Sequence, residues 1–130
     1  MIAQERDVHH VAQILNIFIN KVNKFIMGPL SELNTKASSL LNNGQYQETI
    51  NFCNEVISGY NLQPIDINGF YMYRGYAYEN LGQNKQAIAD LKKCIELIDF
   101  SMNSNPMYAM LHEGTKNNVQ KRLTNLLNKS

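Results

Sequence analysis

Apolar residues recur at steps of three and four along most of the chain, the spacing of amphipathic helices. Val11, Ile14, Leu15, Phe18, Val22, Phe25 and Ile26 make the first such stripe, which predicts an N-terminal helix over 7–27 that Gly28-Pro29 closes. Ile17 and Ile19 widen that stripe, so this helix has apolar surface for more than one neighbour. A second helix is expected from Leu30 or Ser31 to Asn43-Gly44. A third should run from Tyr46 to Ser58, with Ile50, Cys53, Val56 and Ile57 turned inward. Gly59 and Pro64 then punctuate a loop. The fourth helix, from Asp66 or Asn68 to Leu81, carries Phe70, Tyr71, Tyr73, Tyr76 and Tyr78. The fifth places Ala87, Ile88, Leu91, Cys94, Ile95 and Ile98 at core spacing. Asn105-Pro106 opens a last helix that uses Tyr108, Leu111, Val119, Leu123 and Leu126, with Gly114 as its weak point. The periodicity is helical throughout, so the expected fold class is all-α.

One phrase occurs twice. "NNGQYQETINFCNEVI" begins at Asn42 and "NLGQNKQAIADLKKCI" at Asn80, and Gly44 and Gly82 mark an offset of 38 residues. Internal similarity at such a period signals a repeated helix pair that cannot bury its apolar face alone. Asn-Gly also opens hairpins of strands, but helical spacing on both sides rules strands out here.

The second copy, "FYMYRGYAYENLGQNKQAIADLKKCIELID" from Phe70 to Asp99, resembles the tetratricopeptide repeat family, whose unit is a helix-turn-helix of about 34 residues. Tyr71 and Tyr78 stand at its aromatic positions, Gly75 and Ala87 at its small ones, Gly82 at the turn, Leu91 at the large apolar site and Cys94 at the later small one. Arg74 occupies a site that is usually apolar, so it must snorkel or find an acceptor. The first copy matches through Leu33, Ala37, Leu40, Gly44, Tyr46, Thr49, Cys53 and Val56, with Lys36 and Thr49 as departures. Close helix crossing needs small residues, and Gly75 against Ala87 is the expected contact. The offset exceeds the family unit by about four residues, which the expectation places in an Asn61 to Ile67 connection. The resemblance thus implies one domain over 1–130: N-terminal helix 7–27, units at 30–63 and 68–101, and a capping helix at 105–128.

The resemblance further implies that the first helices of successive units line a concave groove for a peptide or protein segment. Carried over by position, its residues are Asn34, Ser38, Leu41 and Asn42 in the first unit, and Met72, Tyr73, Tyr76, Glu79 and Asn80 in the second. Tyr73 and Tyr76 have a second reading, packing against a terminal helix. The lysine, asparagine and arginine clamp of the chaperone-binding branch is not matched, since Tyr73 stands where that clamp has an asparagine. A likeness to small bacterial secretion chaperones is one of architecture.

Composition narrows the function classes. The 130 residues carry 12 basic and 11 acidic side chains, a net charge of +1 that gives nucleic acid or an anionic membrane little to respond to. Lys116, Lys121, Arg122 and Lys129 read as the solvated face of a capping helix. Cys53 and Cys94 sit at helical apolar positions without metal-ligand spacing, and read as buried structural thiols. His9-His10 is read as a solvated helix terminus. "HEGTK" at His112 has Lys116 where a zinc helix needs a second histidine. No metal site, cofactor, small-molecule substrate or catalytic set is expected, and no signal peptide or membrane span. The reading is a cytoplasmic, nonenzymatic adaptor or chaperone-like protein that binds a protein or peptide. The alternative is a homodimeric assembly protein joined through Ile17 and Ile19.

Overall fold

The computed structural model describes residues 10–18 and 27–129. Residues 10–18 form helix α1, followed by α2 (Met27–Asn42), α3 (Tyr46–Gly59), α4 (Pro64–Asn80), α5 (Asn84–Ser104) and α6 (Met107–Lys129). Among the described residues there is no strand. Consecutive helices from α2 to α6 pack on one another, and α2 also touches α4. The result is a short all-α solenoid of antiparallel hairpins, α2/α3 and α4/α5, with α6 laid against the second.

The two hairpin turns are built alike. Gly44 and Gly82 take positive φ, 77° and 75°, where a side chain would be strained. Gly44 N–H donates to the Leu41 carbonyl at 3.1 Å and Gln45 N–H to Leu40 at 2.9 Å. Gly82 and Gln83 repeat this with Glu79 and Tyr78, at 3.0 and 2.9 Å. This pair of bonds is the Schellman closure, which satisfies carbonyls that the helix end would leave open.

Two prolines behave differently from the sequence expectation. Helix α2 starts at Met27, so Gly28 and Pro29 lie in its first turn instead of closing the helix before it. Likewise α4 starts at Pro64, and the expected Asn61 to Ile67 loop contracts to the few residues between Gly59 and Pro64. A proline lacks only an N–H that the first helical turn leaves unused, so it can open a helix as readily as end one. The residues by which the repeat exceeds the family period thus extend α4 by about one turn. Gly114 does not interrupt α6.

Each hairpin is completed by the next helix. Ala37, Cys53, Val56 and Phe70 form one fully buried cluster, in which Phe70 comes from α4. Ala87, Leu91, Cys94 and Ile98 form the second, closed by Val119 and Leu126 from α6. Helix α6 therefore stands to α5 as α4 stands to α3. Leu111, expected in that core, is 72% exposed, because the side of α6 that meets α5 is the one carrying Val119 and Leu126. Burial pushes the thiols of Cys53 and Cys94 up to about 12, so both remain neutral and behave as small apolar groups.

The departures from the repeat pattern are each accommodated. Thr49, buried where alanine is usual, donates its hydroxyl to the Gln45 carbonyl at 2.7 Å. Lys36 lays its ammonium over the Phe52 ring, 4.6 Å from the centroid. Arg74 finds an acceptor in Asp90: Nε donates to Oδ2 at 2.8 Å and Nη2 to Oδ1 at 2.6 Å, while Nη1 reaches Asn54 Oδ1 at 2.8 Å. That guanidinium ties α4 to α5 and to α3. The close approach at Gly75 is to α5, though not chiefly at Ala87: a Cβ there would lie 2.8 Å from Leu91 Cδ2 and 3.2 Å from Asp90 Cβ. The absent side chain makes room for Leu91 and for the acceptor of Arg74.

Candidate functional site

Residues on α2 and α4 repeat at one-turn intervals and face the same side, where the two first helices run next to each other. Ser38, Leu41 and Asn42 from α2 meet Tyr73, Tyr76 and Asn80 from α4 around one open concavity of about 450 Å3. Tyr46 at the start of α3 and Arg122 from α6 complete its lining. Six of the residues placed on the groove by the repeat pattern therefore share one surface.

Of the other three, two lie elsewhere and one at its edge. Asn34 donates to the Leu30 carbonyl at 3.0 Å and lies beside Gly69. Met72 packs against the second core cluster. Glu79 accepts from Arg122, with Nε to Oε1 at 3.0 Å, at the edge of the concavity. Ile17 is 58% exposed on α1, and Ile19 lies outside the described residues, as does His9.

Tyr76 takes part in both alternatives that the sequence left open, while Tyr73 lines the concavity and packs on its own helix. Tyr73 meets Phe70 edge to face, with centroids 6.1 Å apart, while also lining the concavity. Tyr76 carries the Arg122 guanidinium 4.2 Å above its ring and packs against the second cluster. Burial raises both phenol pKa values, so the hydroxyls are protonated donors at neutral pH. The floor of the site is thus aromatic with polar tips. Its sides carry amides, a hydroxyl and one guanidinium.

Tyr46 and Arg122 are the residues that sequence reasoning did not place here. Tyr46 was legible only as a repeat position. Arg122, read as part of a solvated basic face, is instead held by Glu79 and Tyr76, and Lys116 pairs with Asp99 at 2.6 Å. No local pattern signals these contacts, because Arg122 and Glu79 are 43 residues apart in the chain. His112 stacks edge to face with Tyr108, centroids 6.5 Å apart. Among the described residues no group of three potential metal ligands converges, and no helix is long and apolar enough to cross a membrane.

Stacked helix hairpins with a shared groove define a helical-repeat protein. The family model described as tetratricopeptide repeat matches residues 70–99, which span most of α4 and α5. No curated protein and no solved structure matched the chain. The second hairpin is accordingly similar to a tetratricopeptide repeat, a unit whose general role is protein–protein interaction.

Proposed function

We propose that the protein is a nonenzymatic adaptor or chaperone-like module that holds a peptide or protein segment in the concavity between α2 and α4. The supporting observation is the meeting of Ser38, Leu41, Asn42, Tyr73, Tyr76 and Asn80 on one open surface. Rigid aromatic rings give contact area at little entropic cost, while the amides and hydroxyls can pair with the backbone of an extended segment. The reading places the protein in the cytoplasm, with a protein partner and no cofactor, nucleic acid or small-molecule substrate.

Filling the concavity from an exposed position tests this without touching the core. Short random peptides selected by display on the unaltered protein should lose at least about tenfold in affinity, or about 1.4 kcal/mol, for an Asn42→Trp variant that keeps its helical circular dichroism. Binders indifferent to that substitution would remove the groove assignment.

The homodimer reading is favoured by one observation. Val11, Ile14, Leu15, Ile17 and Phe18, all on α1, are each more than half exposed. An exposed apolar stripe of this kind calls for a partner. An Ile17→Glu variant is expected to be a folded monomer by light scattering where the unaltered chain is a dimer. A dimer that survives the change contradicts the role of Ile17.

A further inference from the structure

A second apolar surface lies at the corner where α5 gives way to α6. Phe100, Met107, Met110 and Leu111 are exposed to 61%, 72%, 89% and 72%. Phe100 also borders an open cleft of about 350 Å3 whose lining includes Pro64, Ile65 and Tyr108. We infer that this corner receives helix α1 of a second copy of the chain, so that two copies exchange their first helices. The inference rests on the dimer reading above and names where the helix lands.

Three observations support that occupant. Within one chain both surfaces stay open, since every large apolar residue of α1 and all four at the corner are more than half exposed. The two surfaces also match in polarity: apart from His10 and Tyr108, neither residues 10–18 nor residues 107–111 contain an ionisable side chain. Covering one with the other sets apolar side chains against apolar side chains.

Area is the third. Side chains of this kind remove on the order of 100 Å2 each from water, before discounting for partial exposure, so nine of them cover roughly 500 Å2 in one contact. A reciprocal exchange makes the contact twice and reaches about 1,000 Å2, the least that a specific interface is expected to bury. Reciprocity also closes the assembly, where a one-way contact would propagate into a filament. The cleft beside Phe100 offers a recess for a protruding ring, and Phe18, 63% exposed, is the aromatic side chain that α1 presents.

The test uses the full chain. Light scattering should give twice the chain mass for the unaltered protein and the single mass for Met110→Glu, with helical circular dichroism unchanged. Two preparations, Ile14→Cys and Met110→Cys, are then mixed with a short bismaleimide; the native thiols are buried and do not compete. A covalent dimer joining position 14 of one copy to position 110 of the other is expected. A monomeric unaltered chain, or a dimer that Met110→Glu leaves intact, overturns the inference. So does a link formed within single chains carrying both changes. Linking of Ile14→Cys to itself, without any link to position 110, overturns this docking while leaving the dimer reading standing.

Discussion

Replacing Asp90 with alanine should cost about 3–5 kcal/mol of folding stability, the usual result of stranding one member of a buried ion pair. The side chains of Arg74 and Asp90 are only 19% and 7% exposed, so little solvent screens the pair. In Asp90→Ala the guanidinium keeps Asn54 and the face of Tyr71, 5.2 Å from its carbon, but loses both charged acceptor atoms. Urea unfolding measures the loss. A companion variant, Arg74→Met with Asp90→Leu, should recover most of it, because an apolar pair of similar volume leaves no charge unpaired. A cost below about 1 kcal/mol for Asp90→Ala would mean that the pair does not fasten the hairpins.

Phe70→Ala should be of similar severity, about 3–5 kcal/mol, since the ring is fully buried and its removal leaves a cavity. Its consequence is expected to be local. Phe70 is the α4 residue that completes the cluster of α2 and α3, whereas the second cluster is completed by Val119 and Leu126. In a solenoid, stability is close to a sum of unit and neighbour terms, so loosening one junction frays the units beyond it. Amide hydrogen exchange in the variant should show protection lost across Met27–Gly59 while the amides near Leu91 and Ile98 keep theirs. Loss that begins in α6 would contradict the division of the core into two clusters.

What the sequence disclosed, and what it withheld, follows the range of the forces involved. The turns at Gly44 and Gly82 were legible because a positive φ selects glycine locally and the helix-closing bonds span a few residues. The inward stripe of Ala87, Leu91, Cys94 and Ile98 was legible because burial follows the helical period. Pro64 was ambiguous for a physical reason, since the same residue ends one helix or opens another, and the choice was set by the turn of helix that joins α4 to the first hairpin. Leu111 was misplaced because α6 carries apolar residues on two faces and only one meets α5.

The candidate site divides in the same way. Ser38, Leu41, Asn42, Tyr73, Tyr76 and Asn80 could be named in advance because parallel first helices present equivalent turns to one side. Arg122 could not, because its place over Tyr76 depends on how α6 docks. Arg74 required an acceptor on sequence grounds, but only the fold identifies it as Asp90, on the helix that Gly75 allows to approach.

The claim on which the functional reading depends is that the concavity between α2 and α4 is the binding surface. The most direct measurement is the backbone amide spectrum of the labelled protein titrated with one display-selected peptide. Shifts concentrated at Ser38, Leu41, Asn42, Tyr73, Tyr76 and Asn80, and absent in Asn42→Trp at the same peptide concentration, are the predicted result. Shifts centred on another face, or an unchanged response in that variant, would contradict it.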